Sequence, residues 1–273
     1  MMAAMAGLPH TALPHVTLND GTAIPQLGVG VYRVPDAETA DLVAAALDLG
    51  YRHVDTAQQY GNEAGVGRGL RAAGVDRDDV WITTKLDDDH HTPDAAVAAL
   101  EGSLERLGTD HVDLYLVHRP GPDADADAET WRAMAALRAD GRVRSIGVSN
   151  FDRRRIDHLV RTTGVVPSVN QIRCNPRLPR RGTRRHLRRR GIATEAHGPL
   201  REGRLTEHPV ARQVAAQVGR TPAQVVLRWH LQQGTIVFPK SADPQRLREN
   251  LDIADFTLSR REVLALSSMR RWL

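Results

Sequence analysis

The chain has 273 residues, of which 41% are hydrophobic and 26% charged, and its formal net charge is +4. This composition is typical of a globular protein, and no apolar run approaches the ~20 residues of a membrane-spanning helix. The single cysteine, Cys174, excludes an internal disulfide framework and favours the cytoplasm. The sequence lacks CxxC pairs, an HExxH motif and a GxxxxGK loop, so we expect neither a bound metal nor P-loop chemistry.

The N-terminal region is interpreted as a disordered leader over residues 1–14, because it lacks the basic and long apolar parts of a signal peptide. Residues 15–273 are predicted to form one domain. That domain begins with a β-hairpin, in which two alternating runs are joined through Asn19–Gly21. Next comes Leu27–Val31, the first predicted buried strand. Arg33 stands where a dinucleotide fingerprint needs its third glycine, which argues against a Rossmann fold.

From Leu27 onwards, strand-like and helix-like segments alternate eight times. The predicted strands are Leu27–Val31, Arg52–Val54, Val80–Thr84, Val112–Val117, Val143–Val148, Pro167–Asn170, Ile192–Glu195 and Thr235–Phe238. The predicted helices are Asp36–Leu49, Glu63–Ala73, Pro93–Arg106, Glu129–Asp140, Asp152–Thr162, Pro179–Arg189, Pro209–Gln217, Pro222–Gln233, Pro244–Leu251 and a final Ser259–Ser268. This pattern predicts an α/β fold, a single (β/α)8 TIM barrel with an N-terminal β-hairpin. The acidic segment Gly121–Glu129 is interpreted as a solvated loop.

Polar side chains stand at the predicted ends of six strands, namely Asp55, Lys85, His118, Asn150, Gln171 and Lys240. Because barrels of this kind act at the C-terminal ends of their strands, we expect an active site there, with Tyr60 close to Asp55. A Lys85 ammonium is expected to lower the pKa of Tyr60, while Asp55 keeps Lys85 charged and His118 orients a carbonyl oxygen. No nucleophile–base pair stands out in this set. It therefore predicts protonation of a developing alkoxide, with a hydride from a nicotinamide cofactor.

The sequence resembles the aldo-keto reductases from Val16 to about Leu266. The motifs that carry this resemblance are GYRHVDTAQQYGNEAGVG, ITTKL, VDLYLVHRP, SIGVSNF, VNQI, TPAQVVLRWHLQ and FPKSADPQRLREN. Within the family, LNDGTAIPQLGVGVYRVP, TTGVVPSVNQI and EAHGPL are most similar to the bacterial 2,5-diketo-gluconate reductases. The resemblance implies NADPH-dependent reduction of aldehydes, ketones or keto sugars, with Tyr60 as the general acid.

The resemblance also implies two sets of site residues. The catalytic tetrad would be Asp55, Tyr60, Lys85 and His118. The cofactor-binding residues would be Ser149, Asn150, Gln171, His197, Lys240, Ser241, Arg246, Glu249 and Asn250. Among these, Ser149, Asn150 and Gln171 would hold the nicotinamide carboxamide. A 2′-phosphate on the adenosine would be bound by Lys240, Ser241 and Arg246, because an arginine fork and a lysine charge suit a dianion.

Several positions depart from the family pattern. His197 stands where a tyrosine or tryptophan usually stacks on the nicotinamide, and Asp87 and Arg119 stand at pocket positions that usually carry tryptophan. Tyr32 and Phe151 remain as candidate apolar contacts. The sequence also ends at Leu273, before the segment that closes the pocket in many members. We therefore expect an open, polar and partly cationic substrate pocket.

Alternative functions stay open at this point. The leading one is an NADPH-dependent reductase of small carbonyl compounds, and the others are an NADPH-binding regulatory or sensing subunit with little turnover and a structural protein. The basic run over residues 177–190 is conceivable as a nucleic-acid site. Since no aromatic residues are interleaved and the run falls on an outer helix, a solvated face is favoured. We expect a monomer without nucleic-acid or membrane partners.

Overall fold

The computed structural model describes residues 13–269. The predicted leader and the last four residues of the predicted domain therefore lie almost wholly outside the described residues. Of the leader, only Leu13 and Pro14 are described. Leu13 packs against the hydrophobic core, and the carbonyl of Pro14 accepts a hydrogen bond of 2.8 Å from the backbone N–H of Gln26.

Ten β-strands and ten α-helices are found between residues 13 and 269. The strands are β1 (His15–Thr17), β2 (Ala23–Pro25), β3 (Val29–Gly30), β4 (His53–Asp55), β5 (Trp81–Leu86), β6 (Val112–Val117), β7 (Val143–Ser149), β8 (Val169–Arg173), β9 (Ala193–His197) and β10 (Thr235–Val237). The helices are α1 (Asp36–Asp48), α2 (Glu63–Ala73), α3 (Pro93–Leu107), α4 (Ala124–Ala139), α5 (Arg153–Thr163), α6 (Arg181–Arg189), α7 (Pro209–Val218), α8 (Pro222–Gln232), α9 (Pro244–Leu251) and α10 (Arg260–Ser267). None of these helices is long and apolar enough to cross a membrane.

Strands β3 to β10 form one parallel sheet in chain order. The sheet closes on itself, since Leu27 and Val237 form a parallel bridge. Two backbone hydrogen bonds support this closure, one of 2.8 Å from Gly28 N–H to the Val237 carbonyl and one of 2.9 Å from Val237 N–H to the Gln26 carbonyl. With a helix after each strand, this arrangement confirms the predicted (β/α)8 barrel.

The antiparallel pair β1 and β2 confirms the predicted hairpin and covers the N-terminal end of the barrel. Leu18 and Ile24 of this hairpin are buried against the inner side chains of the barrel strands. At its turn, the Asp20 carboxylate accepts a hydrogen bond of 2.7 Å from the Ser168 hydroxyl, and the Thr22 and Ser145 hydroxyls lie 2.9 Å apart. Because the hairpin occupies this end, the opposite end is left for a site.

The helix boundaries follow the capping signals in the sequence. Helix α3 begins after Thr92, whose hydroxyl accepts a hydrogen bond from Ala95 N–H, and it ends at Gly108 with φ of 68°. Helix α8 begins with a capping box, in which Thr221 and Gln224 each bond the backbone N–H of the other. Such signals explain why most predicted helices lie within one or two residues of the observed ones.

The interpretation of Gly121–Glu129 as a solvated loop is wrong from Ala124 onwards, where α4 begins. The Asp123 side chain caps this helix by accepting hydrogen bonds from the N–H groups of Asp125 and Ala126. Asp127 is buried, and its carboxylate accepts a 2.7 Å hydrogen bond from Gly121 N–H and pairs with Arg155. The acidic residues are thus placed at a helix N-terminus, where negative charge is favourable.

Candidate active site

Three polar side chains reach the same end of the barrel from neighbouring strands. Asp55 is the last residue of β4, Lys85 is the fifth of the six residues of β5, and His118 directly follows β6. The register pairs Asp55 with Thr83 and Lys85 with Leu116, so these strands end side by side. The structure therefore brings the three residues together, at the end opposite the hairpin.

Tyr60 joins this group from a short turn between β4 and α2. Residues Gln58–Tyr60 form a 3₁₀ turn that ends at Gly61, whose φ of 66° is in the left-handed region that glycine tolerates best. The turn is fixed by Asn62, which accepts a hydrogen bond of 2.9 Å from Thr56 and donates one of 2.9 Å to the Val31 carbonyl. This loop geometry aims the phenol of Tyr60 back towards the strand ends.

The ammonium group of Lys85 lies at the centre of the cluster. Its Nζ donates to both carboxylate oxygens of Asp55 at 2.9 Å and to the Thr56 carbonyl at 2.7 Å, and it lies 3.3 Å from the Tyr60 hydroxyl. Burial alone would lower the pKa of Lys85, but the charge and hydrogen bonds of Asp55, together with Tyr60, raise it above its ordinary value. Lys85 is therefore a buried cation at neutral pH.

Lys85 lowers the pKa of the Tyr60 phenol as expected, but the net shift of this pKa is upward, which the sequence did not predict. Burial is the largest cause, since it disfavours the phenolate, and the negative charge of Asp55 adds to it. Lys85 acts in the opposite direction but does not overcome burial. The phenol therefore keeps its proton at neutral pH, which is the state that a proton donor requires.

The imidazole of His118 is neutral and lies against Tyr60. The two ring centroids are 5.9 Å apart in an edge-to-face arrangement. Burial lowers the pKa of His118 to about 3, and the positive charges of Lys85 and Arg119 contribute to this shift. Its Nδ1 is buried without a hydrogen-bond partner among residues 13–269. A neutral ring can donate a hydrogen bond from one nitrogen without adding a charge to the site.

The three residues expected to hold a carboxamide also lie at this end. Ser149 is the last residue of β7, and Asn150 follows it with φ of 62°. The Asn150 amide donates to the Ser149 hydroxyl at 3.0 Å, and its oxygen lies 3.0 Å from Nε2 of His197. Gln171, on β8, donates from Nε2 to Asp55 at 3.0 Å. Burial lowers the pKa of His197 to about 4, so this ring is neutral as well.

The residues expected at an adenosine phosphate lie apart from the tetrad, after β10. The Arg246 side chain is 75% exposed, and its Nε is 3.6 Å from Asp243. Lys240 is exposed and donates a long hydrogen bond of 3.4 Å to the Arg33 carbonyl. The Ser241 hydroxyl accepts from Asp243 N–H at 3.2 Å. Two weakly engaged cations beside a hydroxyl are a donor set that fits a phosphate dianion.

Glu249 and Asn250, expected beside an adenine, belong to the same helix α9. The carboxylate of Glu249 accepts a hydrogen bond from the Thr221 hydroxyl at the start of α8, so it connects the two helices. Asn250 is 4% exposed. The structure thus gives Glu249 a structural contact in addition to the role expected for it.

The predicted pocket residues are divided between the rim and the core. Tyr32 is 50% exposed, with its ring centroid 5.0 Å from that of Tyr60. The Arg119 side chain is 56% exposed and donates to the Asp88 carboxylate at 2.8 Å. Asp87 is nearby, and its carboxylate accepts a hydrogen bond of 2.7 Å from Asp88 N–H. Phe151, by contrast, is 2% exposed and packs in the hydrophobic core, so it does not line an open pocket.

Two buried residues of this region were not singled out from the sequence. Glu195, on β9, is fully buried and accepts a hydrogen bond of 2.9 Å from Gln171. His53, on β4, lies between the Pro25 carbonyl and the Thr83 hydroxyl at 3.2 Å from each. Neighbouring residues of a strand point to opposite faces of the sheet, so alternation along β9 could have indicated that Glu195 points to the face opposite to that of Ala196. Among residues 13–269, no group of three or more His, Cys, Asp or Glu side chains is placed to hold a metal ion.

The chain is similar over nearly its whole length to known proteins. The sequence profile of the aldo/keto reductase family matches residues 21–271. A protein named aldo-keto reductase from Mycobacterium sp. (strain JLS) is 50% identical over 256 residues, which cover 94% of this chain and 93% of that protein. The methylglyoxal reductase DkgA from Yersinia pestis is 45% identical over 262 residues, covering 95% and 94% of the two chains. A crystal structure of a Gox0644 mutant in complex with NADPH has a TM-score of 0.91 and 43% identity, over 94% of each chain.

Proposed function

The chain belongs to the aldo/keto reductase family, and from this premise we propose that it reduces small aldehydes, ketones or keto sugars with NADPH. The observation that carries the proposal is the buried contact of one ammonium, Lys85, with both the Asp55 carboxylate and the Tyr60 phenol. Two comparisons support the finer assignment. One similar structure is a complex with NADPH, and one similar protein is named for methylglyoxal, a small dicarbonyl.

In the proposed mechanism, bound NADPH supplies the hydride that is added to the carbonyl carbon. Tyr60 is the general acid, and its phenol proton is transferred to the carbonyl oxygen as negative charge develops there. The Lys85 ammonium stabilises the phenolate that remains, and Asp55 holds the ammonium in place. The neutral His118 ring donates a hydrogen bond to the same carbonyl oxygen and so favours the charged transition state.

For the cofactor, we assign the carboxamide contacts to Ser149, Asn150 and Gln171, with His197 beside the nicotinamide ring. Lys240, Ser241 and Arg246 bind the 2′-phosphate, and Glu249 and Asn250 flank the adenine. The donor set after β10 supports this assignment, since a ribose hydroxyl would not require two cations. The preference for NADPH over NADH therefore depends on residues that are far from the reacting atoms.

We further propose that residues 15–273 act as one catalytic domain and that the protein works as a monomer in the cytoplasm. Its reaction would place it among the oxidoreductases that act on CH–OH groups. The single cysteine, Cys174, is buried, which is consistent with a reducing compartment. The proposed substrates include compounds similar to 2,5-diketo-gluconate, because the rim of the site is polar at Asp87, Asp88 and Arg119.

The proposal is tested by following NADPH absorbance with a panel of carbonyl substrates, including methylglyoxal, a keto sugar, a keto acid and an aromatic aldehyde. We expect oxidation of NADPH with at least one small carbonyl compound and slower oxidation of NADH. Tight binding of NADPH with no turnover on any substrate would contradict the proposal and favour a sensing or regulatory subunit instead.

A further inference from the structure

A carboxyl group that the proposed mechanism does not use lies beneath the active site. Glu195 is fully buried on β9, paired in register with Gln171 of β8 on one side and Ile236 of β10 on the other. Its Oε2 accepts a hydrogen bond of 2.9 Å from Nε2 of Gln171, which also donates to Oδ2 of Asp55 at 3.0 Å. One amide group therefore bridges two buried carboxyl groups.

The charges around this bridge indicate that Glu195 is neutral. The titratable groups that act on it are Asp55 of β4 and Lys85 of β5, and these two already form a one-to-one ion pair. A second buried anion would have no cation of its own, and Oε1 of Glu195 has no hydrogen-bond partner among residues 13–269. Burial, with the charge of Asp55 adding to it, raises the pKa of Glu195 to about 8. The group is thus a protonated carboxyl at neutral pH.

The bridge also determines which way the Gln171 amide faces. Both hydrogens of Nε2 are directed at carboxyl oxygens, one on Asp55 and one on Glu195. A flipped amide would place its oxygen against the ionised Asp55, which is repulsive. Oε1 of Gln171 is therefore the free polar atom of this side chain. This oxygen accepts no hydrogen bond from residues 13–269. It is not fully buried and therefore reaches solvent.

We propose that Glu195 is a positioning residue, a neutral acceptor that holds Gln171 with its carbonyl oxygen towards the cofactor and its N–H towards Asp55. This inference rests on the proposed function, because it assigns Gln171 to the carboxamide of NADPH. Through this bridge, the oxygen of Gln171 accepts a hydrogen bond from the amide N–H of the cofactor. A cofactor without that N–H leaves the oxygen unsatisfied and binds more weakly.

The experiment measures dissociation constants by quenching of protein fluorescence. Two cofactors are compared, NADPH and its reduced 3-acetylpyridine analogue, in which a methyl ketone replaces the carboxamide. The variants are Glu195→Gln, which keeps a neutral acceptor, and Glu195→Leu, which removes it. The matched control is Thr235→Val on the neighbouring strand β10, which deletes a buried hydroxyl that forms no hydrogen bond within the described part of the chain.

We expect the wild type to prefer NADPH over the analogue by about five- to tenfold, the value of one hydrogen bond to an otherwise unsatisfied acceptor. Glu195→Gln and Thr235→Val should keep this preference. Glu195→Leu should bind NADPH about five- to tenfold more weakly and lose most of the preference, since its Gln171 amide is free to turn. If the leucine variant does not fold, Glu195→Asp replaces it, because the shorter side chain withdraws the carboxyl from Gln171 and should reduce the preference.

Two results would overturn the inference while leaving the proposed function intact. One is a folded leucine or aspartate variant that keeps the wild-type preference. The other is a Glu195→Gln variant as impaired as the leucine variant, which would mean that an ionised carboxylate is required. A wild type that neither binds NADPH nor reduces any carbonyl compound would remove the proposed function itself, and the inference with it.

Discussion

At the scale of the single residue, the surroundings of Tyr60 act differently on the resting phenol and on the phenolate that forms during the reaction. At rest, burial raises the pKa of the phenol and keeps the proton in place. Once the proton is transferred, the Lys85 ammonium at 3.3 Å faces a phenolate, and its attraction is then strongest. The charge of Lys85 therefore contributes mainly to the transition state, which is the condition for raising kcat.

Cofactor choice is predicted to depend on Arg246. Arg246→Ala should weaken NADPH binding by roughly 10–150-fold, because a charge-assisted hydrogen bond is worth about 1.5–3 kcal/mol. Binding of NADH should barely change, since it has no 2′-phosphate. Titration of both cofactors by fluorescence measures the two dissociation constants. Arg248→Ala, an exposed arginine on the same helix, is the matched control and should change neither constant. Equal losses for both cofactors in Arg246→Ala would show a structural role.

Substrate preference is predicted to respond to the exposed pair of Arg119 and Asp88. The neighbouring carboxylate compensates the charge of Arg119, so the rim is less cationic than Arg119 alone suggested. Asp88→Asn should free that charge and raise kcat/KM for an anionic keto acid by up to about fivefold, the range of an exposed charge contact. Arg119→Trp should lower it. An uncharged aldehyde is the internal control, and equal effects on both substrates would exclude a role for this pair in selectivity.

At the scale of the element, the sequence predicted the barrel because each unit carries its own local signals. Helices such as α2 and α9 were predicted to the residue, since prolines, capping side chains and glycines mark their ends. Apart from β6, the strands differ from their predicted bounds by up to three residues, because a buried strand has no comparable stop signal. Helix α4 was predicted too short, since Ala124–Glu129 resembles a spacer until Asp127 is seen to be buried against Arg155.

The candidate site was predictable only in part, because the sequence indicates which side chains share one end of the barrel but not how deeply they are buried or what they contact. The strand order places Asp55, Lys85 and His118 at one end of the barrel, and that much follows from topology. The sign of the Tyr60 pKa shift depends on how deeply the phenol is buried, which no local pattern reports. Glu195 was overlooked because its contact with Gln171 joins two strands that are separated by a helix in sequence.

The N-terminal hairpin is predicted to stabilise the barrel through Asp20. Burial alone would raise the pKa of this carboxyl, but hydrogen bonds from Thr22 and Ser168 outweigh it and lower the pKa. Asp20→Ala should therefore lower the free energy of unfolding by about 1–3 kcal/mol, the cost of leaving buried donors unsatisfied. Chemical denaturation measures this change.

The Asp20 contribution also has a defined pH dependence. Because the pKa is depressed in the folded state, the stabilisation is present above the ordinary aspartate pKa of 3.8 and is lost as the pH falls below it. Asp41→Ala on the exposed face of α1 is the control and should have little effect on stability. NADPH affinity should stay unchanged in both variants, since the hairpin lies at the opposite end of the barrel. A wild-type free energy of unfolding in Asp20→Ala would exclude the predicted role.

At the scale of the whole molecule, three buried histidines and the partly buried His197 are predicted to make the fold sensitive to acid. Burial lowers the pKa of all four, to about 3 for His53, His118 and His230 and to about 4 for His197. The unfolded chain binds protons at these rings near pH 6.5, whereas the folded chain does not. Stability must therefore fall as the pH drops below about 6.5, down to the folded pKa values.

Glu195 has the opposite effect, because its pKa of about 8 lets the folded chain keep a proton that the unfolded chain loses near pH 4.5. Its contribution to stability is present at low pH and is lost as the pH rises towards 8. For these five groups, we expect maximal stability near pH 7 and a net uptake of about three protons on unfolding near pH 5. Denaturation over this pH range measures the slope, and His230→Leu should reduce it by about one proton. A slope of zero between pH 4.5 and 6 would contradict these assignments.

The measurement that tests the central claim most directly compares single-turnover NADPH oxidation by wild type and Tyr60→Phe. The control is Tyr115→Phe on β6, which removes a buried phenol oxygen that has no hydrogen-bond partner among residues 13–269. If Tyr60 is the general acid, Tyr60→Phe keeps the wild-type dissociation constant for NADPH but loses at least ~10²-fold in rate, whereas Tyr115→Phe keeps its rate. A Tyr60→Phe rate within a few-fold of wild type would contradict the account.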